Sequence, residues 1–277
     1  MRGSKAEAST RCKNCSAVLH GRFCSACGQK VYTDKDDSVY GMAKEALHFI
    51  THFEGKFLTT LKTIFGNPGQ LSLDHANGIR QRYYKPISLY LMLVVLYLVF
   101  PMFQGLNMHM TTYERTFLGG TFTAIIEGKA SIRGVSVDEI GERFDEKSRT
   151  TSKVLLLMLI PLTAPILRVL LGRGRKWYHD LVLATEVNAF YLLVFYLIAP
   201  LVVGLVITIT GVQFQDEAMA IAFVGFFAAY GAVLLHRIQR GPWWRSAMKG
   251  TALAVMHTAM LMFVYKPLLF LATMALL

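Results

Sequence analysis

The sequence predicts an all-α polytopic membrane bundle of about five spans, preceded by a small N-terminal cysteine module and an amphipathic interfacial helix. Three observations predict this architecture. Hydrophobic residues make up 53% of the 277 residues, only 17% are charged, and the mean hydropathy is +0.40. Several uncharged segments approach the ~20 residues that a helix needs to cross ~30 Å of hydrocarbon. All four cysteines lie near the N-terminus, in two Cys-x-x-Cys pairs.

The net charge of +11 has two explanations, basic cytoplasmic loops or a nucleic-acid-binding surface. For a chain this apolar, basic loops facing the cytoplasm are the ordinary case. Cations near the cysteines are few, and Phe23 is the single aromatic residue among them. We therefore expect no nucleic-acid partner. The first ten residues are small and polar, so we also expect no cleavable signal peptide.

Two Cys-x-x-Cys pairs separated by eight residues predict a zinc ribbon. Each pair can supply two thiolates to a tetrahedral ion at ~2.3 Å, and Gly21 and Gly28 suit the tight turns. Disulfides or redox dithiols are the rival interpretations, but a disulfide framework needs an oxidising compartment, which the topology below disfavours. Four thiolates close the coordination sphere, so Zn²⁺ is expected to be structural and to supply most of the module's folding energy. The predicted ligands are Cys12, Cys15, Cys24 and Cys27.

The segment between the ribbon and the membrane divides into a polar linker and an amphipathic helix. Apolar residues recur at three- and four-residue steps from Leu47 to Phe65, and Asn67-Pro68-Gly69 ends the pattern. Such a helix lies on the bilayer surface or packs against the spans, and the sequence leaves both open. The predicted divisions are a disordered tail at 1–11, the zinc ribbon at 12–30, a linker at 31–39, the interfacial helix and a basic anchor at 40–84, and the bundle at 85–277.

Cations and tyrosines immediately precede the first uncharged run, which extends from Pro86 to Met108. This composition is typical of an anchor at headgroup level, with tyrosines at the interface, cations against lipid phosphate and a proline opening the helix. A pocket for an anionic ligand is the alternative. The predicted headgroup contacts are Arg80, Arg82, Tyr83, Tyr84 and Lys85.

The positive-inside rule orients the candidate spans. Basic segments precede the first span, separate the second from the third and precede the fifth, whereas the other connections carry no cationic excess. This alternation predicts a cytosolic N-terminus, with the ribbon in the reducing compartment, and an extracytoplasmic C-terminus. The third span is long and contains Pro200 and Gly204, so we expect a kink or a strong tilt there. The predicted spans are 86–106, 154–171, 181–210, 218–235 and 248–265.

Residues 105–152 form the largest predicted extracytoplasmic segment. One interpretation is that Thr121–Arg133 pairs as extended chain around Gly128, and the alternative for the segment is a solvated cap over the bundle. Ser136 and Glu139 match a capping box, which predicts the start of a polar helix that continues towards the second span.

Several polar side chains fall within the uncharged runs, where ionisable groups are costly and often functional. Two interpretations remain open: a polar or metal-binding site near the cytosolic leaflet, or interhelical hydrogen bonds that stabilise the bundle. The seven-residue spacing of His179 and Glu186 places them on one helix face. The residues of this possible intramembrane polar site are His179, Asp180, Glu186, Asn188 and His257.

The order of these motifs resembles a family of bacterial membrane proteins described as domain of unknown function 3667. The resemblance rests on the cysteine ribbon, on 52–61 followed by Pro68-Gly69, on 78–86, on 178–190 and on 243–250. It implies this architecture and a bacterial inner (cytoplasmic) membrane, but no activity. The third-span segment of family members is often richer in histidine than that of this chain. The resemblance therefore does not imply a shared metal site.

Three functions compete. The first is a non-enzymatic membrane adaptor or scaffold that binds a cytosolic protein through the ribbon, because no complete catalytic constellation is present. The second is a transporter or lipid-handling protein that uses the intramembrane polar residues. The third is a membrane enzyme acting on a lipid headgroup through His179, Asp180 or Glu186. Membrane lipids are expected partners of all three, whereas the substrate and the oligomeric state stay open.

Overall fold

The computed structural model of the protein describes residues 11–19, 21–31, 56–99, 106–212 and 214–277. In these parts every regular element is helical, and the ribbon adds two isolated antiparallel bridges. Positions 1–10 of the predicted tail, most of the predicted linker and positions 40–55 of the predicted interfacial helix lie outside the described residues. The helices are α1 (Lys56–Gly66), α2 (Gln70–Ala76), α3 (Pro86–Val99), α4 (Met110–Glu114), α5 (Gly119–Arg133), α6 (Val137–Leu155), α7 (Leu159–Leu171), α8 (Trp177–Tyr191), α9 (Ala199–Thr210), α10 (Asp216–Gln239), α11 (Trp243–Met260) and α12 (Lys266–Leu276).

Four continuous helical stretches are long and apolar enough to cross a membrane. They contain 35, 34, 23 and 34 residues, and at 1.5 Å per residue each exceeds the ~30 Å hydrocarbon thickness. The helix at the predicted first span is shorter in the described residues, where its apolar part covers Pro86–Tyr97. The four stretches are Val137–Leu171, Trp177–Thr210, Glu217–Gln239 and Trp243–Leu276.

Two of these stretches contain a wide turn just before a proline. Leu192–Ile198 and Leu261–Tyr265 are π-helical, and Pro200 and Pro267 follow them. Proline has no N–H to donate to the preceding turn, so the helix accommodates it by changing its hydrogen-bond register. The irregularity expected at Pro200 is therefore present, and it begins eight residues earlier at Leu192.

The expectation of extended chain at Thr121–Arg133 is wrong, because these residues belong to α5. Phe122, Ile126 and Ala130 are buried at four-residue steps, which is a helical period. They form a separate apolar core with α6 and with Phe270 of α12. The N-cap half of the predicted capping box is present: the Ser136 hydroxyl accepts a hydrogen bond from the Glu139 N–H, and α6 follows, while the Glu139 carboxylate pairs with Arg143.

Helix α8 lies at the centre of the main core. Every residue from Val182 to Phe190 is buried, and α8 packs against α2, α3 and α7. Beside it, α10 and α11 approach very closely, because a Cβ built on Gly250 would lie 2.4 Å from the Ala232 nitrogen. Polar side chains on α8 therefore have to find their partners within the protein.

Candidate metal centre and buried polar layer

The four cysteine sulfurs form one compact cluster. All four Sγ atoms lie within 4.8 Å of one another, with 3.7 Å between Cys12 and Cys27 and 3.5 Å between Cys15 and Cys24. Thiolates around one tetrahedral Zn²⁺ at ~2.3 Å are separated by about 3.8 Å, so the cluster fits a metal ion. This part of the structure agrees with the predicted Cys₄ site.

The two halves of the ribbon share one backbone design. Cys12 accepts a hydrogen bond from the Ser16 N–H, and Cys24 accepts one from the Gly28 N–H, each at 2.8 Å. Ser16 and Gly28 both have positive φ, 60° and 71°, so each turn closes in the left-handed region. The sequence indicated Gly28 for this role, whereas its counterpart is Ser16 and not the predicted Gly21.

The ribbon docks on the loop between α2 and α3. The Gln29 amide donates to the Gly78 carbonyl, and the Gln81 amide donates to the Gly28 carbonyl at 3.2 Å. Gln29 is buried, and a Cβ on Gly78 would lie 2.8 Å from the Lys13 side chain. The second Cys-x-x-Cys knuckle is therefore attached directly to the helical part of the protein.

Glu186 caps the short helix α2. Its two carboxylate oxygens accept hydrogen bonds from the Gly69 N–H at 2.7 Å and the Ser72 N–H at 3.0 Å, and the Ser72 hydroxyl also donates to it. The first N–H groups of a helix have no partner within the helix, and a carboxylate there also faces the positive end of the helix dipole. Glu186 thus links the central helix α8 to α2.

Asp74 holds the end of α2 against the basic segment. Its carboxylate accepts hydrogen bonds from the Tyr83 hydroxyl at 2.5 Å and the Gln70 amide at 2.7 Å, and the Arg82 guanidinium lies 3.9 Å away. Burial, together with the hydrogen bond to Asp74, raises the pKa of Tyr83 to about 12. Tyr83 therefore stays protonated as a donor throughout the neutral range.

His75 faces the first turn of α8. Its Nδ1 lies 3.4 Å from the Tyr178 hydroxyl, and the Arg80 guanidinium lies 5.4 Å from the centre of the Tyr178 ring. Burial, with a smaller contribution from Arg80, lowers the pKa of His75 to about 3. The imidazole is therefore neutral at physiological pH.

Asp180 binds two arginines. Its oxygens lie 2.8 Å from Arg168 and 3.3 Å from Arg175, and the Arg168 guanidinium also lies 4.4 Å from the centre of the Trp177 ring. Asp180 is fully buried, so the ion pairs compensate for its desolvation. Arg168 is thereby neutralised at the end of α7.

Asn188 and His257 form a separate hydrogen-bonded pair deeper in the bundle. The Asn188 amide donates to the Ala184 carbonyl at 2.8 Å and to the Thr163 hydroxyl at 3.0 Å, and its oxygen lies 3.3 Å from the His257 Nε2. Among the described residues, His257 Nδ1 has no hydrogen-bond partner.

The five residues of the possible intramembrane polar site therefore lie in different groups. Asn188 and His257 touch, whereas Glu186 accepts hydrogen bonds from Gly69 and Ser72 beside α2, and Asp180 pairs with arginines. His179 contacts the neighbouring Tyr178 ring. A shared substrate or metal site for them stays a prediction.

The predicted headgroup contacts divide into two kinds. Arg82 and Lys85 are exposed, whereas Tyr83 and Tyr84 are buried by the protein itself. The Tyr84 N–H donates to the Thr60 hydroxyl on α1, and Tyr83 is bound to Asp74. Headgroup contact stays a prediction for the cations. The two tyrosines instead attach the segment to α1 and α2.

Sequence reasoning missed the polar residues of α2. Ser72, Asp74 and His75 are all buried. They fall within the predicted interfacial helix and basic anchor, and the sequence pattern indicated no role for them. The available signal was Asp74-His75 after Pro68-Gly69, two adjacent ionisable residues in a short segment that is next to the predicted first span. We call Ser72, Asp74, His75, Asp180 and Glu186, with their hydrogen-bond partners, the ribbon-side polar layer.

Comparison with known proteins supports the resemblance over this region alone. A family model described as protein of unknown function (DUF3667) matches residues 54–98. The match covers α1, α2 and the loop on which the ribbon docks, and it extends into α3. No curated protein and no solved structure shows a significant match.

Proposed function

We propose that this is an integral membrane adaptor, in which a structural zinc ribbon held on the cytosolic face of a helical bundle binds a cytosolic protein. The cysteine cluster supports the metal, because four sulfurs at these separations fill a tetrahedral sphere and leave no position for a substrate. The metal is then structural and not catalytic.

The distribution of charge supports the cytosolic placement of the ribbon. Arg80 and Arg168 lie in the ribbon-side polar layer, and Arg237 donates to Asn67 in the turn before α2. The turn between α9 and α10, at the opposite end of these helices, has no cation among its described residues. By the positive-inside rule the ribbon side is cytosolic, and α3 is the first of five spans of a protein in a bacterial inner membrane.

The observation that carries the adaptor function is the division of the ribbon into two faces. Gln29 and Gly28 face the bundle and are held by its loop. Val18 and Phe23 lie on the backbone bridges and are 53% and 62% exposed. Phenylalanine is among the aromatic residues that are enriched at protein–protein interfaces, so an exposed Phe23 on a docked module suits a protein partner. The docking thus fixes the orientation of this apolar pair relative to the membrane.

A photo-crosslinking amino acid in place of Phe23 tests the proposal in living cells. We expect a discrete adduct with a cytosolic protein, because the probe replaces the largest exposed apolar group of the ribbon. Cys24→Ser should abolish the adduct, since loss of one ligand unfolds the ribbon. Ser25→Ala, at an exposed position beside the ligand, is the matched control and should preserve it. Adducts with lipid alone, or an unchanged adduct in Cys24→Ser, would exclude the adaptor.

A further inference from the structure

A cavity of about 680 Å³ lies between α9 and α10. It lies beyond Tyr191, on the side of the bundle away from the ribbon, and it is partly open. Its volume falls in the ~300–1,000 Å³ range of sites for small molecules and cofactors. We call it the lateral groove and define it by Tyr191, Phe195, Pro200, Phe223, Thr258 and Lys266.

The groove exists because the helices on its two sides pack elsewhere. α9 continues the same helix as the π segment Leu192–Ile198 and is exposed along most of its length, whereas α10 packs tightly against α11. Both π segments border the groove: Phe195 and Tyr196 belong to the first, and Lys266 directly follows the second. π segments inside α-helices are frequent at functional sites, where they displace a backbone to make room.

The surroundings of the groove indicate an occupant from the bilayer. α9 and α10 each belong to a stretch long enough to span a membrane, and the outer faces beside the groove carry exposed Leu201, Val202 and Ile221. The wall itself is largely aliphatic and aromatic. A hydrocarbon chain fits this wall, whereas water or a polar metabolite would leave its hydrogen bonds unmade.

Lys266 supplies the polar end. Its Nζ lies 3.5 Å from the Met108 sulfur, and no carboxylate oxygen among the described residues lies within 4.0 Å of it. A cation within an apolar helix is costly unless an anion or water accompanies it. A hydrocarbon chain alone gains little on leaving the equally apolar bilayer, so the charge is what can select the ligand.

We propose that the lateral groove binds one acyl chain of a lipid with an anionic head, which pairs with Lys266. This inference goes beyond the adaptor function and uses none of the ribbon residues. The same chemistry is offered by an anionic phospholipid and by a free fatty acid. Both would enter from the leaflet on the side away from the ribbon, because Lys266 lies on that side of the mid-span residue Thr258.

The experiment uses the full-length protein in phosphatidylcholine nanodiscs doped with a photoactivatable acyl-chain probe. Three probes are compared: phosphatidylglycerol, phosphatidylcholine and free fatty acid, each with the reactive group in its chain. We expect labelled peptides from the groove, with phosphatidylglycerol or fatty acid favoured over phosphatidylcholine by about fivefold, the effect of one cation on an anionic lipid. Whichever anionic probe is favoured identifies the source.

Two variant pairs make the result decisive. Val203→Trp fills the groove and should abolish the labelling, whereas Val202→Trp, on the neighbouring exposed position, should preserve it. Lys266→Gln should remove the preference for the anionic probe, and Lys266→Arg should retain it with an unchanged melting temperature. Equal labelling by all three probes in the native protein, or labelling unaffected by Val203→Trp, overturns the proposal. A photo-crosslinking amino acid in place of Phe223 tests the other occupant. An adduct with a second copy of the chain, and none with lipid, overturns the proposal too.

Discussion

The ribbon-side polar layer and the lateral groove both place charged groups in apolar surroundings, but they balance them differently. In the polar layer Glu186 accepts three hydrogen bonds and Asp180 pairs with two arginines. In the groove Lys266 contacts a methionine sulfur. Buried polar groups that are fully paired specify one packing, whereas an unbalanced charge beside a cavity favours a ligand. We infer that the ribbon-side polar layer is structural, whereas the lateral groove is a binding site.

The largest expected effect is the loss of the metal, because zinc supplies about 10 kcal/mol or more to the folding of such modules. Cys24→Ser should eliminate bound zinc, measured by elemental analysis of the purified protein. Hydrogen exchange should then increase at Gly28 and Gly78, where the ribbon meets the loop, while the bundle stays protected. Ser25→Ala should retain one zinc per chain. A native protein without stoichiometric metal would contradict the predicted site.

Removal of the Glu186 carboxylate should have the next largest effect. Glu186→Ala leaves the Gly69 and Ser72 N–H groups and the Ser72 hydroxyl without their acceptor. Each hydrogen bond to a charged group contributes about 1.5–3 kcal/mol, so we expect a loss of about 3 kcal/mol or more in the free energy of unfolding. The measurement is denaturant unfolding in detergent.

The control for that measurement is Glu127→Ala, which removes an exposed carboxylate from α5. It should change the unfolding free energy by less than about 0.5 kcal/mol. If Glu186→Ala were equally mild, the polar layer would not be the structural feature that we infer.

The zinc ribbon and the ribbon-side polar layer differ in how far the sequence could predict them. The cysteine spacing that predicts the ribbon is a short sequence pattern. The Ser136 cap is local too, because Ser136 and Glu139 lie three residues apart. The bond between Ser72 and Glu186 joins residues 114 positions apart, and no local pattern encodes it. The error at Thr121–Arg133 is of another kind, because Phe122, Ile126 and Ala130 already carried a helical period. The glycines and β-branched residues around them hid that period.

Close packing of α10 and α11 provides the third prediction, since it holds one wall of the groove. A Cβ on Gly250 would lie 2.4 Å from the Ala232 nitrogen and 2.5 Å from the Ala228 oxygen, which are backbone atoms that cannot rotate away. Gly250→Ala should therefore cost about 1–3 kcal/mol, seen as a lower melting temperature. Gly204→Ala, with nothing within 4 Å of the new methyl group, should be neutral or stabilising.

Protonation of His75 is the fourth test of the polar layer. Because its pKa falls from 6.5 to about 3 on burial, the unfolded state binds the proton first as the pH decreases. The stability that the neutral ring contributes is full above pH 6.5 and is lost progressively towards pH 3. At pH 5 the loss is about 2 kcal/mol, at ~1.4 kcal/mol per pKa unit. His75→Gln should show a flatter melting temperature between pH 7 and pH 5 than the native protein, and parallel curves would contradict the assignment.

The smallest expected effect concerns the pair that lies between the two regions. The Asn188 oxygen and the His257 Nε2 are 3.3 Å apart, and His257 also packs against Tyr191 and Phe227, which line the groove. Hydrogen bonds between membrane helices average only ~0.6 kcal/mol in double-mutant cycles. A cycle with Asn188→Ala and His257→Ala, measured by unfolding, should give a coupling of about that size if the pair is structural.

The same variants distinguish the two regions when the acyl-chain probe is added. If Asn188 and His257 only join helices, Asn188→Ala should leave lipid labelling unchanged, because the Asn188 side chain faces Thr163 and Ala184 and not the groove. If His257→Ala instead reduces labelling while Asn188→Ala does not, the ring supports the groove wall through Tyr191 and Phe227. A coupling well above 1 kcal/mol together with lost labelling in both variants would join the two regions into one site, because independent sites should add.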